Sequence, residues 1–306
     1  MPNILKSNGE IEAFDPAKLV ASLMRSGAGE HTAERIADTI SRTVTEGARS
    51  DEIYRRAFAL LRKEARPAAA RYSLRRAMLE IGPTGFPFED FVSHLFKHEG
   101  WQVETRKIMQ GKCVPHEVDV YATRPLAGSK TGEVETVAAE LKYHNDPGYK
   151  TDVKIALYVK ARFEDIWHCD PRERTCPVDR GVLITNTKFT SQAIQYAECA
   201  GLELVGWSYP LHDSLYERMY RARVYPVTSL TTLKVSEKKL FMQAGVIACD
   251  MLRPRRELFA EFHISPARVG EILAEAEALC SLPYAPDTMV PDPDSEAVRR
   301  TTEPIV

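Results

Sequence analysis

The amino-acid sequence predicts a multidomain protein of α+β and α/β type: a helical N-terminal domain, a mixed sheet flanked by helices, and a small all-helical C-terminal domain. Three observations predict it. The run Ile81 to Pro87 carries two glycines and two prolines in seven residues, a turn-rich break that closes a first domain over 1–82. After it, over 86–210, apolar periodicity alternates between helix and strand in the order helix, three strands, helix, strand, helix, strand, which is an α/β layout with a mixed sheet. From 228 to 280 only helical periodicity remains.

Composition bounds the reading. The chain has 306 residues, 44% of them apolar, enough for two or three domains with cores of their own. No stretch approaches the roughly 20 uncharged apolar residues of a membrane span, and Met1-Pro2-Asn3 lacks the basic-then-apolar layout of a signal peptide, so a cytoplasmic location is expected. Cys113, Cys169, Cys176, Cys199, Cys249 and Cys280 are scattered without C-x-x-C spacing, which argues against a disulfide framework or zinc finger. His168, Cys169 and Cys176 lie close together, but the fourth ligand and the knuckle spacing are missing, and they read as a polar loop with ordinary thiols. A net charge of −2 gives no global attraction to nucleic acid, so any such binding must come from a local patch.

In the first domain, Asn3 to Lys6 and Ile11 to Phe14 read as a short strand pair with Asn8-Gly9 as its turn. Asp15 caps a helix that Pro16 opens, with Leu19, Val20 and Leu23 as its apolar stripe. A second helix runs over about 31–46, a third starts after Ser50 as its cap and reaches about 64, and a fourth covers about 67–81 with Arg71, Tyr72, Arg75 and Arg76. The motifs K-x-N-G, F-D-x-x-K, S-D-E-I and A-x-R-Y, in that order, resemble the ATP-cone, a nucleotide-sensing regulatory domain. The resemblance implies ATP or dATP as an allosteric ligand held by Lys6, Asn8, Gly9, Glu12 and Lys18, with Ser50 and Tyr54 at the start of the third helix. Ammonium groups and hairpin amides suit a triphosphate. Ser7 stands where that family usually has arginine, a lost guanidinium that bears on phosphate binding or nucleotide choice.

In the second domain, Phe88, Phe91, Val92, Leu95 and Phe96 give an amphipathic opening helix. Strands follow at Trp101 to Thr105, around Asp119 and around Glu140, then a helix over about 151–167, a buried strand at Gly181 to Thr185, a helix over about 189–200, and a strand at Leu202 to Trp207. With side-chain period two, Glu140 and Lys142 share one face and Leu141 takes the other. An antiparallel pairing across a hairpin at 128–132 lets Asp119 approach that face. The order, with Asp119 followed by Glu140-x-Lys142, resembles the PD-(D/E)xK nuclease fold in its Mrr-like restriction endonuclease branch. F-E-D-F-V, G-V-L-I-T-N-T-K-F-T and G-L-E-L-V-G-W add to that likeness. Val118 replaces the family's proline.

The resemblance implies metal-dependent hydrolysis of DNA phosphodiesters. Hard oxygen ligands with open positions suit Mg2+ or Mn2+, and such an ion polarises phosphoryl oxygens and lowers the pKa of water. Asp119 and Glu140 are the implied ligands, and Lys142 the group that orients water and offsets charge on the phosphate. Glu89 on the first helix is either a third ligand or a carboxylate that complements the helix dipole. Glu117 and His144 share the active face as a reserve ligand and a phosphate contact, or as solvated neighbours. Lys154 and Lys160 on the next helix are DNA-backbone contacts or surface charges.

Residues 211–227 read as a polar connector, and Leu230 to Leu279 as helix throughout. Ser229 to Leu252 resembles a helix-hairpin-helix, with Ser236 as a cap and Gly245-Val246 as the hairpin, a shape that offers amides to nucleic-acid phosphate. Arg253, Arg255 and Arg256 form a basic cluster before a helix start at Ser265-Pro266. The alternative for this domain is packing or dimerisation. Residues 283–306, rich in Pro, Asp and Thr, read as a disordered tail. The expected protein is therefore a nucleotide-regulated, metal-dependent endodeoxyribonuclease without ATP hydrolysis, since no Walker loop is present. The alternatives are a non-catalytic nucleotide-responsive DNA-binding regulator and an oligomerising ATP sensor.

Overall fold

The computed structural model describes residues 1–6, 9–82, 85–126, 128, 133–167 and 178–281. Ser7, Asn8, most of the 128–132 hairpin, the His168/Cys169/Cys176 group and the 283–306 tail lie outside the described residues. No helix among the described residues is long and apolar enough to cross a membrane.

The described residues divide into two compact units, one built from Met1–Glu80 together with residues 225–281, the other from Ile81–Val224. In the first unit, β1 (Asn3–Leu5) pairs antiparallel with β2 (Ile11–Ala13) and parallel with β3 (Ala48–Arg49), which the sequence reading missed because two residues give no periodicity. Five helices follow the chain: α1 (Pro16–Arg25), α2 (Glu30–Ser41), α3 (Ser50–Glu64), α4 (Arg66–Tyr72) and α5 (Leu74–Leu79). Asp15 caps α1 through the Ala17 amide. Leu19, Leu23, Ile36, Ile40, Ile53 and Leu61 form the core, the stripes that helical spacing brings to one side of each helix. The structure corrects three details. Helix α2 stops at Ser41, Ser50 is the first helical residue of α3 with no capping bond, and the 67–81 segment breaks at Ser73 into two helices.

The C-terminal helices complete this unit instead of standing alone. Thr228 Oγ1 donates to the Ala77 carbonyl at 2.7 Å, and the buried Arg71 reaches the Leu279 carbonyl at 3.5 Å. Leu230 to Leu279 is not helical throughout: α10 (Val235–Gln243), α11 (Glu257–Glu261) and α12 (Pro266–Ser281) are separated by turns. Ser236 lies inside α10, whose first turn is closed by Glu237 accepting from the Lys234 amide at 2.8 Å. Gly245 has φ 79°, a left-handed conformation open to glycine, and makes the turn after α10.

The second unit opens with α6 (Phe86–His98), followed by β4 (Gln102–Gln110), β5 (Pro115–Pro125), β6 (Val134–Lys142), a short β7 (Lys150–Thr151), α7 (Val153–Ile166), β8 (Arg180–Thr185), a short β9 (Lys188–Phe189), α8 (Ser191–Ala200), β10 (Glu203–Val205) and α9 (Leu215–Ala222). The five-stranded sheet has the order β10-β8-β6-β5-β4, antiparallel from β4 to β6 and parallel from β6 to β10. The two parallel connections carry α7 and α8, as parallel crossovers require. Gly181 is needed where α7 crosses β8, since a Cβ there would meet the Phe163 ring at 2.4 Å. The 211–227 segment is corrected from connector to helix α9: Ser214 accepts from the Glu217 amide as its cap, and Leu215, Met219 and Tyr220 are buried. The helix is only eight residues long, and its tyrosines and charged residues give the segment the composition of a polar connector.

Candidate active site

Strands β5 and β6 run as an antiparallel ladder from Pro125↔Val134 to Val120↔Ala139, and there they part. Beyond this point β6 continues on β8, with Glu140↔Leu183 and Lys142↔Thr185, while β5 continues on β4. The fork leaves the Leu141 amide without a β5 carbonyl, and Asp119 Oδ2 accepts it at 2.7 Å. Asp119 is thereby fixed between the diverging strands. Glu140 and Lys142 lie two apart on the same face, and Lys142 Nζ meets Glu140 Oε1 at 2.7 Å.

Glu140 is only 5% exposed, and its second oxygen accepts from Arg162 Nη1 of α7 at 2.6 Å. The other guanidinium nitrogen of Arg162 donates to the Glu117 carbonyl, so one side chain ties α7 to both arms of the fork. Asp165, one turn further on, accepts from the Cys113 and Val114 amides at 2.8 and 3.2 Å and lies 2.8 Å from His116 Nε2. The His116 contact, with these amides, holds its carboxyl far below the usual range. The β4–β5 turn and α7 are thus locked together.

Asp119 is pushed up to about 6, chiefly by burial and then by repulsion from Glu140, with Glu89 adding to it; the Leu141 amide and Lys142 pull the other way. Glu89 Oε2 pairs with Arg106 Nη1 at 2.9 Å. Arg106 lies opposite Asp119, between the pairs Thr105↔Val120 and Lys107↔Val118, and has φ 52°. A left-handed arginine inside a strand is a strained conformation of the kind that gathers at functional sites. Here it turns the guanidinium toward α6.

The buried T-N-T of residues 185–187 supports the end of β6. Thr185 Oγ1 donates to the Lys142 carbonyl at 2.7 Å, and the Asn186 amide group brackets His144, accepting from its N–H at 2.8 Å and donating to its C=O at 2.7 Å. His144 Nε2 lies 3.2 Å from Thr151 Oγ1, and its ring lies against Tyr149 with centroids 3.9 Å apart and planes tilted by 30°. Burial, with Lys142 nearby, lowers its pKa.

Asp119, Glu140, Lys142 and Glu89, drawn from three elements, are therefore brought into electrostatic contact. Lys154 is exposed on α7, whereas Lys160 lies over the Trp167 ring at 4.4 Å and 3.6 Å from Glu164. Arg106, Arg162, Asp165 and Asn186 were not singled out in the sequence. Only Asn186 lay within a motif that could have flagged it.

In the first unit, Lys6 Nζ and Lys18 Nζ both lie near Glu12 Oε2, at 3.0 and 3.5 Å, so three of the nucleotide candidates converge. Gly9 has φ 86°, and its amide donates to the Lys6 carbonyl at 3.0 Å. Tyr54 is stacked between Phe58 and Tyr72, with ring centroids 6.4 and 5.0 Å away, and burial raises its pKa. Arg253 lies 4.0 Å from Glu277, Arg255 pairs with Glu257 at 3.0 Å, and Arg256 is exposed.

Comparison with known proteins places these units. The AF1548-like C-terminal family description matches residues 225–280. A relative of uncharacterised function from Archaeoglobus fulgidus is 34% identical over 187 residues, covering 61% of this chain and 98% of the relative. The crystal structure of AF1548, a protein of unknown function, is 30% identical, with 66% of this chain and 98% of that chain covered at a TM-score of 0.48. The modification-dependent restriction endonuclease AspBHI overlaps at 15% identity and a TM-score of 0.33, over 67% of this chain and 40% of its own. MspJI restriction endonuclease, solved with a 27-mer oligonucleotide, overlaps at 13% and 0.32, over 62% and 42%. The last two overlaps are too slight to transfer an activity. The extent of the Archaeoglobus match and the family match at 225–280 establish that the chain belongs to the AF1548-like family.

Proposed function

We propose that this protein is a metal-dependent endodeoxyribonuclease whose activity responds to ATP or dATP bound by its first unit. The observation that carries the reading is the fork between β5 and β6, which gathers Asp119, Glu140 and Lys142 with Glu89 beside them. The donor set fits a hard divalent ion: carboxylate oxygens only, with Asp119 pushed up to about 6 chiefly by burial and then by repulsion from Glu140 and Glu89, a repulsion that a cation would relieve. Asp119 and Glu140 would hold it, with Glu89 as the third carboxylate. Bound there, it supplies Lewis-acid polarisation of the phosphoryl group and a lowered water pKa.

The chain's own residues do the rest. Asp119 must be ionised to serve as a ligand, and its second oxygen stays on the Leu141 amide. Lys142 presents three donors, which orient the attacking water and offset charge on the phosphate. Arg162 keeps Glu140 in place and closes the inner side of the fork. The nucleotide part rests on the motif order in residues 1–82 and on the convergence of Lys6, Glu12 and Lys18, whose ammonium groups suit a triphosphate.

Cleavage of supercoiled plasmid with Mg2+ or Mn2+, with and without ATP or dATP, tests both halves. Metal-dependent nicking that Asp119→Ala abolishes, and whose rate changes with nucleotide, is the expected result. Equal absence of cleavage for both proteins across metals, nucleotides and substrates would leave the non-catalytic DNA-binding regulator.

A further inference from the structure

The first unit holds a concavity of about 440 Å³ lined by Arg62, Lys63, Arg66, Thr231, Thr232 and Glu271. Its cations come from the end of α3 and the start of α4. Its opposite wall comes from the chain leading into α10 and from α12, within the segment matched by the AF1548-like description. The opposite wall is rigid. Buried Glu275 accepts four hydrogen bonds, from the amides and hydroxyls of Thr231 and Thr232 at 2.6–3.0 Å, and Arg268 Nη2 donates to the Thr232 carbonyl at 2.8 Å.

The cations gather at one cleft without carboxylate partners among the described residues. Several exposed arginines of this unit are matched, Arg35 to Glu64, Arg49 and Arg55 to Asp51, Arg76 to Glu80, and the unmatched Arg42 and Arg256 do not line the concavity. Lys63 and Arg66 have no ion pair among the described residues, and Arg62 has only the face of Phe58 at 5.9 Å. Glu64, the carboxylate between them in sequence, is taken by Arg35. The basic end of α3 complements its dipole, but that role needs neither Arg66 nor a fixed opposite wall. Three unmatched positive charges face one carboxylate, Glu271, in a chain whose net charge is −2.

We infer that this concavity binds the phosphodiester backbone of nucleic acid, as a docking site separate from the fork and from the Lys6/Lys18 hairpin. Unpaired guanidinium and ammonium groups around a fixed cleft are the sequence-independent means of holding phosphates. The inference rests on the proposed reading only in taking DNA as the ligand.

The test is fluorescence anisotropy of full-length protein with a labelled random-sequence duplex at several salt concentrations, without divalent metal. The double variant Lys63→Ala/Arg66→Ala should flatten the slope of log affinity against log salt by about 1.8, two contacts at about 0.9 each. E271Q should tighten binding, most at low salt. Both sites are exposed, and an unchanged circular dichroism melt confirms folding. An unchanged slope in the double variant, or a comparable flattening found only in Arg253→Ala/Arg255→Ala, overturns the inference. So does loss of fluorescent ATP binding in the double variant with duplex binding intact. A wild type that binds duplex through these residues but never cleaves refutes the nuclease and leaves this site standing. A wild type that cleaves while the double variant keeps its slope does the reverse.

Discussion

Two of the candidate ligand sites of this protein, the fork and the Lys6/Lys18 hairpin, use the same residue types in opposite environments. In the second unit Asp119, Glu140 and Lys142 sit in a fork of the sheet, Glu140 almost fully covered and Asp119 pushed up to about 6. In the first, Lys6, Glu12 and Lys18 make a similar cluster at the surface, with side-chain exposures of 20, 31 and 52%. Water screens the surface cluster, so its charges contribute little to stability and remain free to exchange a carboxylate for a phosphate. Burial in the fork makes every charge matter to stability and chemistry alike. On the proposed function, the difference separates a site built to react from a site built to sense.

The largest effect is expected at the fork. Asp119→Ala should lower cleavage by roughly 10²–10³-fold, the scale for losing one preorganised electrostatic group, while duplex binding by anisotropy stays within twofold. A next effect probes how far buried carboxylates outside the fork serve the framework. Glu275→Ala leaves the Thr231 and Thr232 donors unmatched and should cost about 3 kcal/mol in denaturant unfolding. Because it also loosens the wall of the basic concavity, its duplex affinity should fall as well.

Arg162→Ala removes one of two cationic partners from buried Glu140 and should cost about 2 kcal/mol. Arg162→Lys should recover part of the stability but not the bridge to the Glu117 carbonyl. If instead Arg162→Ala were neutral in thermal melts, the fork would be as well screened as the surface cluster and the contrast would fail.

A smaller, pH-dependent effect follows from Asp119. Its folded pKa is raised, so the folded chain holds that proton more tightly than the unfolded chain, and stability falls as pH climbs from the ordinary carboxylate range to about 6. Asp119→Asn removes this loss while keeping an acceptor for Leu141. The variant's Tm should rise relative to wild type as pH passes through that window and hold its lead above it. Cleavage by wild type should increase over the same interval. The smallest effects belong to the surface cluster: Lys18→Ala should change stability by less than about 1 kcal/mol yet weaken ATP about tenfold by calorimetry.

What could be read from the sequence follows the same division. The order of elements in the second unit was legible because α6, β8 and the other core elements carry strong apolar periods, and the spacing of Glu140 and Lys142 fixed their shared face. Arg162, Asp165 and Arg106 were not legible, since each acts across elements distant in sequence, and nothing in a lone arginine announces a left-handed backbone. The C-terminal helices showed which face they bury but not against what. Their union with the first unit depends on contacts such as Thr228 to Ala77, which no period encodes. The nucleotide reading came from motif order alone, and it stands as a proposal that the Lys6–Glu12–Lys18 convergence supports.

The central claim is that the fork's carboxylates form one divalent-metal site. Titration of Mn2+ into wild type and Asp119→Asn at pH 7.5, followed by calorimetry, tests it without reference to cleavage. One ion should bind to wild type, and Asp119→Asn should lose that event while keeping its fold. Equal binding by both proteins, or none by either, would contradict the account.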